Sequence, residues 1–325
     1  MKRIALLTFA LAMAGCSSTT IKNLDLLQPM PLARSEVMPS PAELSGGMPR
    51  VVVFEAEDGD IELARKARVG GTIASELEKQ LASTYVELVD RKLASKLRQE
   101  LALAEMQGKA EYQGEQVADY AILGVVSQAA VGSFFSEGQQ YVDKKGNVIT
   151  IPPACRYEGR IEGSVRIYKM PSMRPLATEA LDGVVSSSEE TRTGRCSLGT
   201  SGADQFARQA ATRAVARLRT NLQNHFAPTG YVIEQRGNED QVVVKITLGS
   251  RHGLKEGDTV EITNSVRSIN PLTNQITVET APLGTARVSN LITSETAWII
   301  IDKELADRIR IGQPVRPRYK KGFFE

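Results

Sequence analysis

The chain has 325 residues, 42% hydrophobic, 24% charged and 5% aromatic, enough for two folded domains and inconsistent with disorder throughout. Forty Lys and Arg against 38 Asp and Glu leave a formal net charge of +2, and Lys2 and Arg3 sit at the extreme N-terminus. No strongly basic surface therefore points to nucleic acid. Three cysteines and two histidines are poor material for a four-ligand zinc site, so no metal and no other cofactor is expected.

Residues 1–15, MKRIALLTFALAMAG, place two basic residues before an apolar run over 4–14 that is too short to cross a bilayer as a permanent helix. This is the pattern of a signal peptide. Its end, AMAGC over 12–16, resembles the bacterial lipobox, which implies that the Cys16 thiol takes a diacylglyceryl group and becomes the mature N-terminus. Met13 stands where Leu is usual, and the alternative is an ordinary signal peptide followed by a chance cysteine. Acyl chains stabilise membrane attachment by about 0.8 kcal/mol per buried CH₂ without a spanning helix. Ser17, in place of Asp, resembles lipoproteins sorted to the outer membrane and facing the periplasm. Residues 16–49 are rich in Ser, Pro and Met without helical or strand periodicity, so a lipidated flexible tether is expected there.

From 50 to 228 the pattern predicts an α+β domain. RVVVFEA over 50–56 reads as a buried strand, and Leu63, Ala67, Gly70, Ile73, Leu77 and Leu81 then recur at helical spacing. YVELV over 85–89 is a second strand, and Asp90 caps a helix bearing Leu93, Leu97, Leu101 and Ala104 on one face. ADYAILGVVSQAAV over 118–131 reads as a central strand, and 157–168 alternates apolar and charged residues as a half-buried antiparallel strand should. A weaker strand follows over 175–187. Phe206, Ala210, Ala214, Leu218, Leu222 and Phe226 predict one closing helix over 202–226.

RVVVFEAEDGD, GGTIASELEKQL, YVELVDRKLASKLRQEL and VADYAILGVVSQ, in that order, resemble the core of the curli secretion protein CsgG and of the TolB N-terminal-like fold. The resemblance covers residues 50 to 226 and implies a three-layer domain. That fold serves secretion pores, flagellar ring proteins and activators of peptidoglycan synthases, so it does not by itself assign a function.

After 228 the pattern changes to short strands with frequent turns: YVIEQ, QVVVKITLG, GLKEGDTVEITNS, QITVETAPLGTARVSNL, TAWIII and GQPVRPRY. These predict a small β-barrel over 229–325. In GLKEGDTVEI and RIRIGQPVRP a turn glycine admits positive φ and launches a strand. The segment resembles the C-terminal domain of the flagellar ring protein FlgT and SH3-like barrels.

The residues form no recognisable catalytic constellation. His225 and His252 lie in no nucleophile–base motif. Gly70-Gly71-Thr72 lacks the Gly-Lys-Ser/Thr of a phosphate loop and reads as close helix packing. The acidic run Glu55, Glu57, Asp58, Asp60 and Glu62 lacks EF-hand spacing, and Arg208, Arg213, Arg217 and Arg219 read as a solvated basic face, with peptidoglycan or a neighbouring subunit as the alternative contact. With Cys16 acylated in an oxidising compartment, Cys155 and Cys196 are expected to form a disulfide; two free thiols, or thiols paired between molecules, are the alternative.

In CsgG the two excursions corresponding to 131–168 and 186–202 become membrane hairpins; the first nearly has the length, with Phe134, Phe135 and Tyr141 as candidate interfacial aromatics. Here SSSEETRTGRCSLGTSG has no alternating apolar row, and the first excursion contains DKKGN and Pro152-Pro153, so a pore is not expected. The expectation is a non-enzymatic outer-membrane lipoprotein, held through its acyl chains and working as a homo-oligomer or with a ring partner in a secretion, surface-fibre or flagellar machine. A CsgG-type export channel and an activator of a peptidoglycan synthase are the alternatives.

Overall fold

The computed structural model describes residues 19–90, 92–94, 97–98 and 117–322. It is a mixed α/β chain with several sheets, divided into two compact units. One unit holds Ser40–Pro228 with the C-terminal residues from Arg318; the other holds Thr229–Pro317 with the N-terminal segment up to Pro39.

The α/β unit begins with a one-turn helix α1 (Pro41–Leu44), whose Ser40 and Glu43 form a reciprocal capping box. Its sheet has the order β3-β2-β4-β7-β8, built from β2 (Arg50–Val53), β3 (Glu87–Leu88), β4 (Tyr120–Ser136), β7 (Ala154–Lys169) and β8 (Arg174–Glu190). β2 runs parallel to β3 and β4, whereas β4, β7 and β8 form an antiparallel meander. From Val51 to Phe54 the run is apolar at every position, and both of its faces are covered. Val51 and Val53 point into the core formed with the helices α2 (Glu62–Ala67), α3 (Val69–Leu81), α4 (Thr200–Ala216) and α5 (Arg219–His225). Val52 and Phe54 point into a second cluster with Ala94, Leu97, Ala118, Ala121 and Met170. The closing helix expected as one piece divides at Arg217 and Leu218.

Helix α4 lies very close to the sheet. Ala207, Ala210, Ala211 and Ala214 are fully buried, and two sheet residues beneath the helix are glycines: Gly183 under Ala210 and Ala214, and Gly159 under Phe206. A Cβ on Gly183 would lie 1.9 Å from the Ala210 carbonyl oxygen, and one on Gly159 would lie 2.9 Å from that of Phe206. Gly70 does the same for α3, where a Cβ would meet the Ala56 carbonyl oxygen at 2.1 Å.

The polar excursions are more regular than their sequence suggests. β4 and β8 continue to Ser136 and Glu190, and a tip hairpin of β5 (Gln139–Val142) and β6 (Val148–Ile151) joins β4 to β7. Antiparallel pairing continues from Tyr120↔Lys169 to Ser136↔Ala154, so backbone hydrogen bonding sustains the strands beyond the apolar pattern.

The second unit is a closed antiparallel barrel of β9 (Gly230–Gly237), β10 (Val242–Ile246), β11 (Thr259–Ile269), β12 (Ile276–Ile292), β13 (Ala297–Ile301) and β14 (Pro314–Pro317), with a short helix α6 (Lys303–Ala306). The order β9-β10-β13-β12-β11-β14 returns to β9 through the β9–β14 pairing. Val244, Ile246, Val260, Ile262, Val288, Ile299 and Val315 fill its interior. Gly253, Gly257 and Gly312 adopt φ of 83°, 85° and 86°, the turn conformations that launch β11 and β14.

Two expected boundaries are corrected. Of the tether expected over 16–49, residues 19–39 are not free: they form an arm bound along the barrel. Strand β1 (Gln28–Met30) pairs with β9, Ser35 and Ala33 exchange backbone hydrogen bonds with Ile311, and Ile21 and Leu27 bury against Val243 and Trp298. The physical reason is that β10 and β13 are apolar on their outer faces too, and the arm removes that surface from water. The barrel unit also ends at Pro317 rather than at residue 325. The backbone of Tyr319 is bracketed by the Asn224 side chain, which accepts from its N–H at 2.8 Å and donates to its carbonyl at 2.9 Å.

Replacing Gly183 by Val is expected to cost about 3 kcal/mol, because the new side chain meets backbone rather than a movable side chain. Urea unfolding monitored by circular dichroism measures it. Trp298→Ala is expected to cost about 3 to 5 kcal/mol and to expose residues 19–39 to native-state proteolysis. Wild-type resistance to cleavage there would mean that this cluster does not hold the arm.

Candidate functional site

Cys16 and the expected signal peptide over 1–15 lie outside the described residues. Cys155 and Cys196 are joined by a disulfide, with Cα atoms 5.4 Å apart and a sequence separation of 41. Cys155 sits on β7 opposite Phe135 of β4 and Glu189 of β8, in the part of the meander that extends past the helices. The bond brings the segment 191–199 back over this extension. The Ser133 hydroxyl donates to the Cys196 carbonyl at 2.9 Å, and the Phe135 ring reaches Gly194. Cys155 is buried in consequence.

The two faces of this blade differ. On the helix side, Ala129, Val131 and Val185 pack against the edge of the main core, and Tyr157 leans on Phe206 of α4 with ring centroids 6.2 Å apart. The reverse side of β7 carries Arg156, Glu158 and Arg160, and Arg160 pairs with both Glu158 and Glu162. At the end of the blade the tip hairpin exposes Tyr141 and Val142 on β5 and Val148 and Ile149 on β6. Cross-strand pairing puts Tyr141 with Ile149 on one face and Val142 with Val148 on the other, so the tip is apolar on both sides. An open cleft of about 660 Å³ lies between this hairpin and Glu190, Thr191 and Arg192, floored by Pro152 and Pro153. Such a blade can bind a partner by shape and apolar contact.

The other residues of chemical interest are engaged locally. Glu57 bonds Arg98 at 3.2 Å, Asp60 pairs with Arg65, Glu62 pairs with Lys66, and Asp58 accepts from the Gly70 N–H at 2.8 Å. The Asp58 carboxylate thus occupies the N-terminal end of α3, where a phosphate loop would have to receive an anion. Among the described residues no group of three or more His, Cys, Asp and Glu is placed to hold a metal ion. Arg217, just after α4, bonds the Asp182 carboxylate and carbonyl, and Arg208 of α4 bonds the Ala67 carbonyl; these two, Arg213 and Arg219 at the start of α5 are all exposed. His225 lies edge-on to Phe226 and Tyr120, with centroids at 4.9 and 6.4 Å. His252, in the barrel unit, is buried and accepts the Gly249 N–H on Nδ1 at 3.0 Å, closing the turn before β11.

Burial holds the His252 pKa below its ordinary value, and Arg251 beside it acts in the same direction. The unfolded chain therefore takes up a proton that the folded barrel excludes. The stabilisation is complete above the ordinary His value and is lost as pH falls toward the depressed one. Asp58 has the opposite sign: burial raises its pKa, so its contribution is lost as pH rises from the ordinary carboxylate value through the raised one. Barrel unfolding followed by Trp298 fluorescence is expected to show falling stability from pH 7 to 5, with a flatter profile in His252→Gln. Cys196→Ser is expected to cost about 4 kcal/mol in the chain-entropy account of a loop this long. The same change should open 191–199 to protease while β2–α3 remains protected, as read by hydrogen exchange.

No protein-family model matches this chain, and no curated protein matches it. Among solved structures it is similar to a Caulobacter crescentus protein provisionally described as a lipoprotein, at 14% identity over 54% of this chain and 89% of that one, with a TM-score of 0.28. It is also similar to the PelC dodecamer of Paraburkholderia phytofirmans, at 14% identity over 61% of this chain and 97% of that one, with a TM-score of 0.22. At these TM-scores the likeness carries no argument, and the chain is not assigned to the CsgG or FlgT families.

Proposed function

We propose that the protein is an outer-membrane lipoprotein facing the periplasm and a non-enzymatic structural or assembly component of a cell-envelope machine. In this reading the Ser40–Pro228 unit is a CsgG/TolB-N-like body, and the barrel is an SH3-like accessory domain. Acylation of Cys16 attaches the chain to the membrane. The blade docks on a ring partner or a second copy of the chain, with peptidoglycan a further contact for the basic face of α4.

The observation that carries this reading is the blade: a rigid meander extended beyond its core, pinned by Cys155–Cys196 and ending in a tip with exposed Tyr141, Val142 and Val148. Building such an extension costs ordering entropy, and a disulfide offsets part of that cost where helix packing runs out. His225 and His252 are committed to packing and to a turn, which supports a role without catalysis.

One observation favours an export channel as a second reading: β4, β7 and β8 run on from the helix-covered core as a continuous antiparallel ladder that ends in a hairpin. Against it stand Arg156, Glu158 and Arg160 on the reverse face, where a lipid-facing row would need apolar side chains.

The test is single-particle imaging and light scattering of the mature protein extracted in detergent. A monomer, or a ring outside the micelle, is the expected result. A ring whose blades line a lumen through the micelle would establish the channel instead. Cys16→Ala is expected to leave the protein unacylated and released from the outer membrane on cell fractionation, and retention of the acylated protein would overturn the anchor.

A further inference from the structure

Acylation at Cys16 and an arm bound from Thr19 onward together restrict where the membrane can be. Ile21 is 3% exposed, packed with Leu27, Val243 and Trp298, and its backbone is held at both ends by Asn290 of β12. The Asn290 Oδ1 accepts from the Ile21 N–H at 2.8 Å. Two residues earlier, the Thr19 hydroxyl donates to Glu256 in the turn before β11. Five Cα–Cα steps separate Cys16 from Ile21, a covalent reach of at most about 18 Å even when fully extended. The free leash is therefore a few residues long, not the whole stretch to residue 49.

We propose that the end of the barrel carrying Thr19, Lys22 and the turn at Lys255 and Glu256 is the lipid-facing surface of this unit, held against the headgroups by the short leash. This rests on the reading of Cys16 as the acylated residue. The occupant is a bilayer surface, because the chain leaves the barrel at this point and within about 18 Å must reach its own acyl chains. Charge does not supply the attraction: Lys22 and Lys255 share the patch with Glu256, and Arg251 is neutralised by Glu295 at 2.6 Å. Contact should therefore persist in high salt, unlike adsorption through a basic patch. The opposite pole of the unit is the β11–β12 hairpin, whose tip residue Leu272 is 92% exposed. Eleven residues of β11, at about 3.4 Å per residue, separate that tip from the turn by about 35 Å.

The experiment uses full-length protein purified from membranes, with a bimane label on Lys255→Cys or on Leu272→Cys. Each form is reconstituted in phosphatidylethanolamine–phosphatidylglycerol vesicles that carry a headgroup nitroxide quencher. Quenching several-fold stronger at position 255 than at 272, unchanged by high salt, is the expected result. Inserting about a dozen Gly and Ser residues between Ser18 and Thr19 lengthens the leash without touching the fold and should bring the quenching at 255 down toward that at 272. Equal quenching at both positions in protein that mass spectrometry shows to be acylated at its N-terminal cysteine would overturn the lipid-facing assignment alone. Membrane-extracted protein without acyl chains on Cys16 would overturn the lipoprotein reading and this proposal with it.

Discussion

A strand that is apolar on both faces has to be covered twice, and this requirement organises both units. The run Val51–Phe54, which β2 begins and Phe54 extends, has no polar position, so the sheet needs helices on one side and the Ala94, Leu97 and Met170 cluster on the other. In the barrel, Val242 and Val244 turn inward while Val243 turns outward, and Trp298 and Ile300 do the same on β13. A small barrel has no second layer of helices to spend on that outer surface. The N-terminal arm provides the cover, with Ile21 and Leu27 seated on Val243 and Trp298, while Arg236 and Lys245 approach the indole face at 5.6 and 5.9 Å.

The distance between α4 and its sheet is set by residues with almost no side chain. Ala210 and Ala214 on the helix meet Gly183, and the Phe206 backbone meets Gly159, so backbone approaches backbone and dispersion contacts are dense. Where α4 ends, that cover ends too, yet the meander continues. Beyond this point the blade depends on its hydrogen-bonded ladder and on the loop that the disulfide holds over Phe135 and Ser133. The end of the blade, beyond the helix-covered core, is thus supported covalently, and it carries the exposed apolar tip.

In the proposed reading these two features divide the work. The arm ties the barrel to the point where the chain meets the membrane, and the blade offers a surface for a partner. Both are positional roles that need neither a cofactor nor a titrating group. The two histidines fit this picture, one packed among rings and the other closing a turn.

By itself, the sequence determined the division near residue 228, the buried strands, the helices at their Leu and Ala spacing and the glycine turns, because each depends on local periodicity or on a backbone conformation open to glycine. Tertiary structure alone decided the course of residues 19–39. Their Ser, Pro and Met content carries no periodicity, and they become ordered only because β10 and β13 present an apolar outer face. The unbroken runs VVV and AWIII held that information, but a run apolar on both faces says that a cover exists without saying which segment provides it. The length of the blade was hidden for the same reason: strands such as SSSEE persist through backbone pairing with β7, an interaction that no side-chain pattern records.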